Sequence, residues 1–299
     1  MDGHRDSKWE SMMGAATPPA LIDEKTLQAW IGEPDVCLVD CRFRLEDPGW
    51  GERSWEEGHI PGARYAHLDR VLSGPVTEKS GRHPLPDPAA LARWLGQAGV
   101  DERTRIVAYD QTTGPFAARL WWLAHWIGLS NVSVLDGGWS VWVDHHGPIE
   151  SVPPQAVAAK AFEPRPNPDL WLTTPDIEAV VAGQARGVLL DVRHANRYHG
   201  LEEPIDSVPG HIPGAVNFCY LETLAPDGRL LDPAELRRRF ATVLGRCPPR
   251  EVIHSCGSGV TACQTLLAME WAGLPGSRLY AGSYSEWIRS GSRPVVRRS

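Results

Sequence analysis

The chain has 299 residues, 42% hydrophobic and 22% charged, with a formal net charge of −7. That length suits roughly two ordinary domains, and the acidic balance argues against a nucleic-acid surface while allowing a small anion to be held locally. No apolar run reaches the length of a membrane span, and none of the six cysteines forms a Cys-x-x-Cys pair or a zinc-like spacing with histidine, so we expect no membrane partner, no metal site and a reducing, cytoplasmic setting.

Residues 1–17 are polar and of mixed charge and read as a flexible tail. A first domain is expected over 18–146. Leu21–Trp30 has helical periodicity with Asp23 as N-cap. Val36–Asp40 is an apolar run that reads as a buried strand. A polar, loop-like stretch leads to Gly58-His59-Ile60-Pro61-Gly62-Ala63. Asp87-Pro88 opens a helix with a cap followed by proline at the first helical position. Arg105–Tyr109 is a strand, Pro115–Ile127 an apolar helix and Val132–Leu135 a strand, followed by a turn at Gly137-Gly138-Trp139. A connector over 147–170 follows, and seven prolines between Gly147 and Pro175 predict an extended path.

The second domain, 171–299, repeats the first. Asp191-Val192-Arg193 answers Asp40-Cys41-Arg42, and Gly210-His211-Ile212-Pro213-Gly214-Ala215 is identical to Gly58–Ala63. Asp232-Pro233 answers Asp87-Pro88, Val252–Ser255 answers Ile106–Tyr109, and Gly282-Ser283-Tyr284 with Trp287 answers Gly137-Gly138-Trp139 with Trp142. The order is kept and each pair lies about 150 residues apart, which means a duplicated domain. Strands alternating with helices predict an α/β fold, each domain a mainly parallel sheet flanked by helices. The two ion pairs read as fold-holding.

The two copies differ at one place that matters for chemistry. In the second, Val252–Ser255 ends in Cys256-Gly257-Ser258-Gly259-Val260-Thr261-Ala262, and Val260–Trp271 reads as a helix. A strand that delivers a cysteine into a glycine-rich turn before a helix surrounds the sulfur with N–H groups and a helix N-terminus, which favours thiolate over thiol. In the first copy the same position is Asp110, in Asp110-Gln111-Thr112-Thr113-Gly114. One domain is therefore expected to be chemically active, and its copy to supply a wall of the site.

Asp-x-Arg after the first strand of each half, the repeated Gly-His-Ile-Pro-Gly-Ala, the Cys256 loop and Gly-Ser-Tyr-x-x-Trp near the end together resemble the tandem-domain rhodanese sulfurtransferases, over about residues 18–290. The resemblance implies a double displacement. A donor passes its outer sulfur to Cys256, and the resulting persulfide passes it to an acceptor: cyanide, a small thiol or a thioredoxin-like protein. No cofactor is implied. The loop amides of Gly257, Gly259, Val260 and Thr261 would hold the sulfur anion. Gly257 and Ser258 stand where thiosulfate-type members carry Arg and Lys, so the loop resembles the 3-mercaptopyruvate type, with Ser258 as a proton relay. Thiosulfate is the alternative donor. Arg197 matches the arginine that holds the donor's carboxylate. A second arginine expected before Gly210 is replaced by the acidic Glu202-Glu203-Pro204-Ile205-Asp206. His59 matches a histidine assigned to a charge network with the loop, or else it fixes the turn before Pro61. Cys263, two helical turns after Cys256, reads as core.

Three rivals are weaker. A phosphatase with a related loop needs an arginine at the position of Ala262. A nucleotide-binding loop would need Gly-x-Gly-x-x-Gly or a Lys-Ser/Thr loop. A non-enzymatic persulfide carrier would keep Cys256 without needing Ser258 or Arg197.

Overall fold

The structure is a computed structural model that describes residues 19–297; the expected tail at 1–17 lies outside them. In the first half the elements run β1 (Leu21–Ile22), α1 (Glu24–Trp30), β2 (Val36–Asp40), α2 (Trp50–Glu57), β3 (Arg64–Tyr65), α3 (Pro88–Gln97), β4 (Arg105–Tyr109), α4 (Pro115–Trp126), β5 (Val132–Leu135) and α5 (Gly138–Asp144). In the second they run β6 (Trp171–Leu172), α6 (Thr174–Val181), β7 (Val188–Asp191), α7 (Ala195–His199), β8 (Val216–Asn217), α8 (Pro233–Leu244), β9 (Val252–Ser255), α9 (Thr261–Trp271), β10 (Arg278–Tyr280) and α10 (Ser283–Trp287). The sheet orders are β1-β5-β4-β2-β3 and β6-β10-β9-β7-β8, the same path twice. Every pairing within them is parallel. Parallel strands need crossovers, and these cover both sheet faces, which is why β2, β4 and β9 read as apolar runs rather than alternating ones.

Two local expectations are corrected. The helix starts at Glu24, not Leu21, because Leu21 and Ile22 pair with Val134 and Leu135 as an edge strand. Asp23 still caps the helix, accepting from the Thr26 N–H at 2.8 Å. The stretch before Gly58 holds the helix α2 rather than only loop, fastened by the Trp55 indole N–H to the Ala63 carbonyl at 2.7 Å.

The repeated motifs do the same work in each domain. Arg42 binds Asp40 and donates to the Gly58 carbonyl at 2.6 Å; Arg193 binds Asp191 and donates to the Gly210 carbonyl at 2.7 Å. Each pair ties the first central strand to the Gly-His-Ile-Pro-Gly turn. The pairs are buried, so losing one partner strands a charge.

The largest apolar core runs through both domains, carrying Leu120 and Leu123 of α4 together with Leu266 and Leu267 of α9. The helix α4 packs directly on α9. The far face of each sheet has its own smaller cluster, one around Tyr109 and Trp142 and the other around Tyr280 and Trp287. Residues 151–167 form no helix or strand but lie along the first domain, where the N–H groups of Lys160 and Arg165 bond the carbonyls of Gly96 and Ile127. Among the described residues no helix is long and apolar enough to cross a membrane.

Candidate active site

Cys256 stands at the carboxyl end of the central strand β9, facing the first domain, and is 2% exposed. Its loop closes tightly. The Gly259 N–H reaches the Sγ at 3.2 Å, and the Ser283 hydroxyl accepts from the Cys256 N–H at 3.0 Å. Ser283 holds a left-handed φ of 51°, unusual for a residue with a side chain, so the support under the cysteine is itself strained. Gly259 has φ +77°, and a Cβ there would sit 2.2 Å from the Ala281 carbonyl oxygen. Glycine is required at that point.

The other loop positions have different partners. The Gly257 carbonyl accepts from the Ser285 N–H at 2.9 Å, Val260 is the N-cap residue of α9, and Thr261 is its first residue. Of the four amides expected around the sulfur, Gly259 bonds Sγ in this state.

Ser258 is buried, and its Oγ lies 2.7 Å from Nδ1 of His83. Nε2 of His83 lies 3.4 Å from Oδ1 of Asp69. The hydrogen bond from His83 holds the Asp69 carboxyl below its ordinary range. A hydroxyl, an imidazole and a carboxylate in series form a route for one proton. Two of the three come from the first domain, from the segment between β3 and α3.

His59 is not the histidine of this network. Its Nδ1 pairs with the Trp55 carbonyl at 2.7 Å, its ring stacks on Trp55, and Nε2 faces Glu150 at 3.4 Å. His211 makes the matching contacts with Tyr198 in the other copy. Both fix the turn of the repeated motif. The histidine that meets the loop is His83, in Arg82-His83-Pro84-Leu85. It lies outside both repeated motifs, so no internal comparison flags it.

Arg197, on α7, borders the loop: a Cβ on Gly257 would lie 3.5 Å from its Nη2 and 2.7 Å from Nη2 of Arg82. Arg82 is thus a second arginine at the mouth, supplied by the first domain and missed by reading along the second alone. Arg119 of α4 is fully buried and donates to the carbonyls of Gly259 at 3.1 Å and His83 at 3.3 Å. It bolts the cysteine loop to the proton route, while burial pulls its ionisation down. A lone arginine in an otherwise apolar helix was its only signal. Cys263 is core, its thiol pushed up to about 12 by burial. A cleft of about 700 Å³ adjoins Asp69, Arg82 and His83, with Phe43, Leu45 and Ile205 among its other walls.

Two parallel α/β domains, one bearing a cysteine cradled at a strand end, define the class. The rhodanese-like domain family matches twice, over residues 23–145 and 177–290, and the chain belongs to that family: it is a tandem-domain sulfurtransferase. It is 45% identical, over 92% of its length and 97% of the relative's, to a Pseudomonas aeruginosa protein named "Probable 3-mercaptopyruvate sulfurtransferase". It is 31% identical to the thiosulfate sulfurtransferase of Rattus norvegicus, with 86% of each chain covered. The crystal structure of SseA from Escherichia coli, described as a 3-mercaptopyruvate sulfotransferase, superposes with a TM-score of 0.75 at 28% identity, covering 90% of this chain and all of that one. A sulfur donor and a thiophilic acceptor are implied by this membership.

Proposed function

We propose that the donor is 3-mercaptopyruvate and that Cys256 carries its sulfur as a persulfide. The Cys256 thiolate attacks the donor's sulfur, forming an S–S bond as the donor's C–S bond breaks. The electron pair leaves with carbon as the enolate of pyruvate. A proton reaches that carbon from the Ser258 hydroxyl, which is resupplied through His83 with Asp69 holding the imidazole. The persulfide releases its own S–H proton to water and remains an anion beside the Gly259 N–H and the start of α9. Arg197 binds the donor's carboxylate. An acceptor thiolate or cyanide then takes the outer sulfur and restores the Cys256 thiolate. Small thiols, cyanide and thioredoxin-like proteins all have the required nucleophile. Six unpaired cysteines support a reducing, cytoplasmic setting.

The observation that carries the choice of donor is the 2.7 Å contact between Ser258 and His83 beside Cys256. Pyruvate enolate needs a proton on leaving, whereas sulfite, the leaving group from thiosulfate, does not. The test is a paired assay with cyanide as acceptor, following thiocyanate from 3-mercaptopyruvate and from thiosulfate. We expect mercaptopyruvate to be used with the larger kcat/KM, and Arg197→Ala to raise its KM. Faster use of thiosulfate would overturn the donor assignment; turnover of neither would leave a persulfide carrier.

A further inference from the structure

Above the Cys256 loop two guanidinium groups meet from different domains. Arg82 belongs to the segment between β3 and α3, and Arg197 to α7. Both border Gly257 and so flank the approach to the cysteine. Neither is free. Asp206 sits between them, one carboxylate oxygen paired with Arg82 and the other with Nη2 of Arg197 at 2.8 Å. Glu203 takes the remaining edge of Arg197, with its Oε1 2.8 Å from Nη2. Below, Arg193 is matched by Asp191 and also reaches the other oxygen of Glu203 at 3.2 Å. The Asp206 side chain is 2% exposed, whereas Arg82 keeps 26% of its surface open.

The charges at the mouth therefore cancel: Arg82 and Arg197 against Asp206 and Glu203. Two arginines facing an anion site would ordinarily give a strongly positive potential. Here the carboxylate of Asp206 sits between the two arginines, beside the position at which Arg197 would receive a donor's carboxylate. The cost of a negative potential from one carboxylate scales with the ligand's charge. It falls twice as heavily on a dianion such as thiosulfate as on a monoanion such as 3-mercaptopyruvate. Burial limits solvent screening of that term.

We propose that Asp206 is a built-in counter-anion that sets donor choice, admitting a singly charged donor to the Arg82–Arg197 pair and disfavouring a dianion. This rests on Cys256 being the sulfur acceptor, but not on which donor the native protein prefers. Asp206 also joins the domains, so a purely structural clamp is the competing account, and the two differ in what a neutral side chain does.

The experiment measures kcat/KM for 3-mercaptopyruvate and for thiosulfate, with cyanide as acceptor, in native protein, Asp206→Asn, Asp206→Glu and Arg82→Gln. Asp206→Asn is expected to move the ratio of the two constants at least tenfold toward thiosulfate, chiefly through the KM for thiosulfate. Asp206→Glu is expected to stay within about threefold of the native ratio. Arg82→Gln, which deletes a cation and leaves the carboxylate, is expected to move the ratio the other way. It also serves as the test if Asp206→Asn does not fold. An unchanged ratio in either neutral variant, or an equal fall with both donors, would overturn the proposal. The native protein's ranking of donors tests the donor assignment separately, since the shift in ratio is read relative to it.

Discussion

The two halves of this molecule offer the same strand end to opposite fates. In the second domain β9 ends in Cys256; in the first β4 ends in Asp110. Both positions are about 2% exposed, and both are followed by a loop and a helix. Around Asp110 the N–H groups of Gly114, Phe116 and Ala117 bond its own carboxylate at 2.9–3.1 Å. The amides that would greet a substrate anion are thus spent on the loop's own side chain.

What the partner domain brings also differs. Against the Asp110 loop the second domain places its turn at 225–230: the Thr113 N–H bonds the Gly228 carbonyl at 3.0 Å, and the Leu230 N–H bonds Asp136 at 2.9 Å. Against the Cys256 loop the first domain places Arg82, His83 and Arg119, with a cleft beside the first two. The equivalent segment plugs one site and equips the other. Duplication produced two cradles, and each now depends on the other domain to be either filled or completed.

The largest test of this contrast exchanges the two side chains. Cys256→Ser should lower sulfur transfer by about 10⁴-fold or more, since no other group supplies the nucleophile. Adding Asp110→Cys to it should not restore turnover, because the first loop lacks the proton route and the arginine pair. Thiocyanate production reads both; recovery in the double variant would show that the first cradle is still competent.

A smaller effect is expected from the proton route. Ser258→Ala or His83→Gln should slow mercaptopyruvate turnover by about 10²–10³-fold, within the range of general acid catalysis. Transfer from thiosulfate should be spared. The two substitutions combined should cost little more than either alone. Equal loss with both donors would show that these residues only shape the loop.

The smallest effect is on stability, with opposite signs in the two domains. Burial, opposed by the three N–H donors, pushes Asp110 up to about 7. Between its unfolded value near 4 and this one, the folded state holds the extra proton, so its contribution is lost as pH rises through that window. His254, in β9, is buried against Thr265 and pushed down to about 3. Below its unfolded value of about 6.5 the unfolded state takes up the proton, so that contribution is lost as pH falls. Relative to native protein, Asp110→Asn should gain in urea midpoint from pH 5 to 8, and His254→Gln from pH 6.5 to 4.5. Each slope should be at most about 1.4 kcal/mol per pH unit. Parallel curves for both variants would refute the assignment.

Much of the active domain was legible along the chain. Gly257 and Gly259 flanking a cysteine at a strand end announced the cradle, and the identical Gly58–Ala63 and Gly210–Ala215 announced the duplication. In sequence His59 has two readings, a charge network or the turn before Pro61, and its contacts with Trp55 fit the turn; His83 has no reading there because it sits in an unrepeated segment. The second arginine is expected before Gly210, where the family resemblance places it and this chain has Glu202–Asp206, whereas Arg82 comes from the first domain.

Local rules of conformation and periodicity are short-ranged, so the sequence by itself determined the parallel α/β architecture, the two copies and the one strand end that carries a cysteine where its copy carries an aspartate. The tertiary structure decided what only packing α4 against α9 can decide. That packing brings Asp69, Arg82, His83 and Arg119 to a cysteine more than 130 residues away in the chain. No pattern within either domain encodes that meeting, because the site is completed by side chains whose only relation to the loop is the shared core between the two sheets.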